Sequence, residues 1–383
     1  MKLVKTLLPI LLSTFFLCIG NSMLLGLFTL MTEKYSWSGS YVGVILSIKG
    51  ILAIFTAICL PIIAHKVKIF ISLKLHFIAF ISITLILSVV QQYEIAWCLL
   101  YAMTIIPTTF FFISTETVLI SDVAVKERAR GLSLYWLVAI AGYAIGPWLV
   151  GNIGLIDFSF YIVVMFFVIS YCFIFSRKAI DDEHLEVIHF KKVFGFVKRY
   201  PLIWVICFVA GSAGEAIDPF MGVMGLTLGL SGEQSLNLMS FFLIGGVVMQ
   251  YATGWLIDHL GVHRMTVYTS ISAILIGVLV ILTSHSYILL SFSTIAWGSA
   301  CFGVSLLSLA IIANMFKGEN KLLVVSVQAI FYDLGSVVGN TLNGISTDLI
   351  GAHGVVYVAI LFFTITGVVG FIHKKRIKKL NIL

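Results

Sequence analysis

Five charged side chains stand well inside stretches otherwise apolar enough to cross a bilayer: Lys49, Glu116, Glu215, Asp218 and Asp333. An ionisable group at the bilayer centre costs about 2.5 to 3.5 kcal/mol on insertion scales, so each is expected to face protein or a watery cavity. Glu215 and Asp218 lie three residues apart in Ala-Gly-Ser-Ala-Gly-Glu-Ala-Ile-Asp-Pro, on one helical face, where mutual repulsion favours a single shared proton. A carboxyl group that takes up and releases a proton is what coupling to a proton gradient requires. Glu215, about 22 Å from the inner end of its helix at 1.5 Å per residue, is the first candidate for that role, with Asp218 and Glu116 beside it. Asp218, followed by Pro219, is also placed to bind a cation or a substrate amine, or to hold a helix break. Lys49 and Asp333 come out at similar depth, and would form a charge pair between the two halves of the chain if their helices face each other. The competing structural reading gives each carboxylate a partner: Lys49 for Asp333, freed backbone groups for Asp218, and the hydroxyls of Ser114, Thr115 or Thr117 for Glu116.

The elements that must position these groups are membrane helices. Of 383 residues, 60% are hydrophobic and only 11% charged, with a mean hydropathy of +1.10, where soluble domains carry roughly 25% charged residues. Apolar spans of helical length recur from end to end, at about 6–30, 41–63, 72–90, 95–121, 131–155, 158–176, 200–226, 236–257, 265–284, 288–314, 322–347 and 354–372. The first is too long for a signal-peptide core and is expected to be retained. A polar segment divides these twelve spans six and six. The expected organisation is therefore an N-terminal six-helix bundle over 1–176, a cytoplasmic linker over 177–199, a C-terminal six-helix bundle over 200–372 and a basic cytoplasmic tail over 373–383. With the termini inside, Lys34 and Lys49 are the only members of the 24 lysines and arginines outside the inner segments, which places both termini in the cytoplasm. The net charge of +7 is thus a matter of topology, not of nucleic-acid binding. The six cysteines all fall within spans without redox or zinc spacing, and the histidines, such as His65, His259 and His263, sit at span ends or loops, so no metal site is expected. Phosphate-binding loops and nucleophile–base sets are absent, which argues against an enzyme.

Sliding the halves against each other places Gly142, Gly146 and Gly151 on Gly335, Gly339 and Gly344 at one offset of 193, the mark of a parallel membrane repeat. Between spans eight and nine the chain reads Gly254-Trp-Leu-Ile-Asp258-His-Leu-Gly261-Val-His-Arg264, which resembles the cytoplasmic loop signature of the major facilitator superfamily. The first-half counterpart, Pro61-Ile-Ile-Ala-His65-Lys66-Val-Lys68, lacks the expected Gly and Asp. Gly142-Tyr-Ala-Ile-Gly146-Pro147-Trp-Leu-Val-Gly151 is similar to the GxxxGP element of the superfamily's proton-driven exporters, although small residues four apart also serve helix packing alone.

The resemblance implies an all-α membrane fold of twelve helices in two six-helix bundles. Spans one, four, seven and ten line a central cavity, spans two, five, eight and eleven flank it, and the rest face lipid. It implies a gate loop at Gly254, Asp258, Gly261 and Arg264, and makes Asn21, Gln250, Gln328, Tyr332 and Asn340 candidate cavity residues, with Asn343 near them. Polar residues at such positions also hold helices together with no solute involved. The expectation is a monomeric secondary transporter in the cytoplasmic membrane that moves a small organic solute by alternating access. Its driving force would be the proton gradient, with no cofactor, and export is favoured. A proton-symport nutrient importer, and a non-transporting receptor or assembly subunit with a carrier fold, stay open as alternatives.

Overall fold

In the computed structural model the chain is helical; residues 2–66, 69–123, 128–155, 157–175, 197–198, 201–315 and 321–372 are described, and no strand occurs among them. The expected linker, all but two of its residues, and the C-terminal tail lie outside the described residues.

The first half runs through α1 (Lys2–Tyr35), α2 (Gly39–Lys66), α3 (Ile69–Val89), α4 (Glu94–Met103), α5 (Ile105–Asp122), α6 (Arg128–Ile153) and α7 (Asp157–Phe175). The fourth span is α4 and α5 together, interrupted at Thr104, because Pro107 has no N–H to give the carbonyl of Met103. The second half runs through α8 (Pro201–Ala210), a π-helical turn at Gly211–Glu215, α9 (Asp218–Thr227), α10 (Gly232–Thr283), α11 (Tyr287–Met315), α12 (Lys321–Ile350) and α13 (Gly354–Ile372). Spans eight and nine are thus joined as limbs of α10. The bend between them is a single residue, Gly261, at φ 77° and ψ 155°, a conformation only glycine adopts readily. Where a loop was expected the chain turns on one glycine.

Burial separates inner helices from outer ones. The spans at Leu7–Tyr35 and Trp204–Thr227 are 78% and 83% buried, those at Glu94–Leu119 and Tyr287–Val304 61% each, and those at Phe158–Phe175 and Arg264–Thr283 only 33% and 39%. Spans one, four, seven and ten are therefore central. The outer helices present apolar side chains such as Val89, Leu275 and Phe371 outward, as a chain solvated by lipid tails requires.

Glycines fix how the helices approach. A Cβ on Gly142 would stand 2.5 Å from the carbonyl of Phe15, and one on Gly146 would run into Ser22 and Met23, so α6 lies directly on α1. At the same offset of 193, Gly335 and Gly339 lie against Phe208, Ser212 and Ala216, so α12 lies on α8 and the π-helical turn. The third pair does something else: Gly151 meets Glu233 of the second half, and Gly344 meets Gly39 and Gly43 of the first. Two seams thus join the halves, α6 with α10 and α2 with α12.

Candidate functional site

Between the halves lies a cavity of about 240 Å³. Its walls come from α1, α2, α5 and α6 of the first half, and from the π-helical turn, α9, α10, α11 and α12 of the second. Lys49, Glu116, Glu215, Asp218 and Asp333 all line it, as do Asn21, Gln328, Tyr332 and Asn340. Two α-helical repeats that bury different faces of the same sequence pattern leave such a space at their joint, and polar side chains reach hydrated surroundings only there.

The second-half carboxylates owe their placement to the break in span seven. Small residues at Gly211, Ser212, Ala213 and Gly214 let the helix widen into a π-helical turn, and Pro219 at the start of α9 prevents regular continuation. Asn343 of α12 donates to the carbonyl of Ala216 at 2.8 Å, satisfying an acceptor at the break. It is helix-to-helix glue, not a cavity group. Glu215 and Asp218 project from either end of this break. Oε2 of Glu215 and Oδ1 of Asp218 are buried without a hydrogen-bond partner, so Asp218 is not spent on capping freed backbone. Ser336 stands beside Glu215, and Asp333 is within its electrostatic reach.

The expected Lys49–Asp333 pair does not form. Lys49 Nζ donates to the hydroxyl of Tyr101 at 3.3 Å and lies 4.6 Å from the centre of that ring, and the carboxylates acting on it are Glu215 and Asp218. The reason is the neighbour the sequence reading missed. Tyr101 is fully buried and stacked on Phe28 at 4.6 Å, which fixes its hydroxyl where the lysine reaches it first.

The first half contributes a different surface. Phe112 and Glu116 occupy successive turns of one face of α5, and Trp136, Ile140 and Tyr143 do the same on α6. Phe112 lies parallel to Trp136 at 5.5 Å and to Tyr143 at 6.5 Å. Glu116 is 6% exposed and stands beside Trp136 Nε1, which falls short of hydrogen-bond geometry and counts as unpartnered. Two of the three hydroxyls expected to satisfy Glu116 are engaged elsewhere: Thr117 donates to the carbonyl of Ile113 at 2.7 Å, and Thr115 bonds the carbonyl of Phe111 and the hydroxyl of Tyr135. Asn21 donates to Tyr143 at 2.8 Å and Asn340 to Ser336 at 3.2 Å; each keeps a buried, unpartnered carbonyl oxygen.

The side chains of Gln250, Gly254 and Asp258 lie outside the described residues, so of the gate signature only Gly261, at the bend, and the exposed Arg264 can be placed. Gly142, Gly146 and Pro147 belong to helix packing, and Gly151 to the seam between halves. Sequence reasoning passed over Phe112, Trp136, Tyr143 and Ser336. For Ser336 a signal existed: Gln328, Tyr332, Ser336 and Asn340 recur every four residues along α12.

The chain matches the family profile described as Major Facilitator Superfamily over residues 10–309 and again over 203–382. It belongs to the major facilitator superfamily. Solved structures similar to it include the nucleoside transporter NupG, at 17% identity and TM-score 0.65 with all of both chains covered. A bacterial homolog of the human lysosomal transporter Spinster, inward-facing and occupied, is similar at 11% identity and TM-score 0.74, covering 97% of this chain and 96% of that one. Its unoccupied form gives 13% identity and TM-score 0.73, covering 99% and 98%. No curated protein matches the chain in sequence. At these identities the likeness is one of fold. Membership of this superfamily makes the protein a multi-pass membrane transporter of small solutes and not an enzyme.

Proposed function

We propose that this superfamily member is a proton-coupled secondary carrier, a monomer in the cytoplasmic membrane with both termini inside, which exports a small organic solute by alternating access. One observation carries the reading: every intramembrane ionisable group singled out in the sequence lines one cavity at the joint between the halves, and two of the carboxylates there have buried oxygens without partners. Three carboxyl groups, Glu215, Asp218 and Asp333, share this confined space with one ammonium, Lys49, on which Glu215 and Asp218 act while Asp333 interacts with Glu215. Repulsion among them favours shared protons, and a change of hydration on opening to either side alters how many are held. Glu215 sits at the hub, in reach of Lys49, Asp333 and Ser336 at once. Export, rather than import, suits the apolar and aromatic first-half wall, which fits an amphiphilic solute partitioning from the membrane.

The test begins with a thermal-shift screen of cationic, anionic and uncharged organic solutes on purified protein. A hit is then followed in energised everted vesicles, where export appears as accumulation abolished by an uncoupler. Glu215→Gln is expected to remove gradient-driven accumulation while exchange of labelled for unlabelled solute continues. Accumulation by the variant equal to that of the native protein would sink the coupling assignment, and uncoupler-sensitive loss from the vesicles instead of gain would reverse the direction.

A further inference from the structure

The cavity has two acidic regions of different character, and only one of them contains a cation. Lys49 is held by Tyr101 and faces Glu215 and Asp218. Among the described residues no basic group stands against Glu116, although it is 6% exposed. Buried carboxylates are ordinarily paired, because leaving one unpaired is costly, and here the hydroxyls of Thr115 and Thr117 donate to backbone carbonyls. What surrounds Glu116 on the cavity side is aromatic: the parallel rings of Phe112 and Trp136, with Tyr143 two turns further along α6. A carboxylate beside stacked rings is the chemistry that recognises an organic ammonium, the charge meeting the carboxylate and the flanking methylenes and ring lying on the aromatic faces. Asn21, which donates to the hydroxyl of Tyr143, lines the same cavity.

We infer that the solute is an organic cation carrying an aromatic or similarly flat apolar group, its charged nitrogen held by Glu116 beside the stacked rings of Phe112 and Trp136, while the Glu215, Asp218, Asp333 and Lys49 cluster handles protons. This deepens the carrier reading and rests on it for the claim that the bound cation moves. The division of labour separates binding, on the first half, from coupling, on the second. A cation arriving at Glu116 also adds positive charge to a cavity where carboxyl groups outnumber ammonium groups, so its entry favours release of protons from the facing cluster, the exchange an antiporter needs.

The test compares phenylethyl-trimethylammonium with the uncharged molecule of the same shape that has carbon in place of nitrogen. Binding to purified full-length protein is measured by calorimetry at fixed pH. The cation is expected to bind at least about tenfold more tightly than its carbon isostere. Glu116→Gln, the same size without the charge, is expected to erase that preference by weakening the cation alone, and Glu116→Asp to restore part of it. Unchanged melting temperatures show that the variants fold. Equal binding of both probes, or a cation affinity indifferent to Glu116→Gln, overturns the inference. The two claims fail separately. If an uncharged or anionic solute is accumulated in a Glu215-dependent way and the cation is ignored, the carrier stands and the substrate class falls. If the cation binds through Glu116 but never crosses, the substrate site stands and the carrier falls.

Discussion

The two seams that join the halves are built from matching segments of the repeat, yet they are not equivalent. In the α2–α12 seam, Gly39, Gly43, Ser47 and Gly50 run down one face of α2 at intervals that keep small residues aligned, the arrangement that lets membrane helices touch backbone to backbone. A Cβ on Gly43 would stand 2.7 Å from the carbonyl of Asn340, and Ser47 bonds both Thr341 at 2.9 Å and the carbonyl of Val337 at 3.1 Å. At the end of this seam Asp348 accepts hydrogen bonds from the backbone of Gly39 at 2.7 Å and Ser40 at 2.8 Å, so a carboxylate from one half caps a helix of the other. Among the described residues the α6–α10 seam shows no hydrogen bond of that kind, although the Glu33 carboxylate of the first half lies close to Gly232. The start of α10 is capped by its own neighbours, Ser231 and Gln234, and the position matching Asp348 is Leu155. Duplication gives two alike backbones; the α2–α12 contact has then become a close, capped seal while its counterpart stays looser. In the carrier reading proposed above both seams part at this end, and the capped one is expected to hold more tightly.

The sharpest break in the comparison is Gly344→Ala. An added Cβ would lie 2.5 Å from the carbonyl oxygen of Gly39 and 3.1 Å from the Cα of Gly43, both backbone atoms that cannot swing aside. Overpacking of this kind costs typically about 1 to 3 kcal/mol. The expected outcome is loss of the sealed state, read as faster hydrogen exchange of the Gly39 and Ser40 amides and a lower melting temperature. Unchanged exchange would mean that this seam is not held by close approach.

Asp348→Ala comes next. Losing a helix cap costs roughly 0.5 to 2 kcal/mol, and at this exposed position the lower end applies. Exchange at Gly39 and Ser40 is expected to rise a few-fold, with no comparable change at Gly232. Partial burial alone would push the Asp348 carboxyl up, but the hydrogen bonds from Ser40 and Gly39 outweigh it and hold the group below the usual aspartate range. For a group depressed in the sealed state, the stabilisation is complete above its ordinary value and disappears only as the pH falls through the depressed one. The cap is therefore expected to be indifferent to pH between about 5 and 8. Exchange at these two amides that varied tenfold over that range, after correction for intrinsic rates, would contradict the assignment.

Much of this was legible from the chain because the bilayer leaves few solutions. Span lengths, the glycine repeat and the avoidance of lipid by charged groups each follow from one constraint, that polar groups in hydrocarbon need a protein or water partner. What escaped was local competition. Lys49 and Asp333 match in depth, but depth says nothing of a tyrosine on a third helix, and Tyr101 takes the lysine. Trp136 and Phe112 looked like ordinary apolar residues, and only the crossing of α5 and α6 sets their rings parallel next to Glu116. Gly151 and Gly344 looked identical, since sequence offset carries no information about the distance to a neighbouring backbone.

Gly151→Ala is the mildest change and the one that isolates that last point. Its Cβ would meet Glu233 at 3.5 to 3.6 Å, ordinary van der Waals contact, where its counterpart at Gly344 meets backbone at 2.5 Å. Both glycines lie in helices, so both substitutions gain the same preference of alanine for helical backbone, about 0.5 to 1 kcal/mol. At Gly151 nothing opposes that gain, and the variant is expected to melt at the native temperature or slightly above it, with solute flux unchanged. At Gly344 the same gain is overwhelmed by the clash. The pair is thus a matched experiment in which intrinsic propensity cancels, and the difference in melting temperature reports the closeness of the two seams directly. Equal destabilisation at both positions would show that the seams are equivalent after all, and that the cap at Asp348 is an ornament on a symmetric joint.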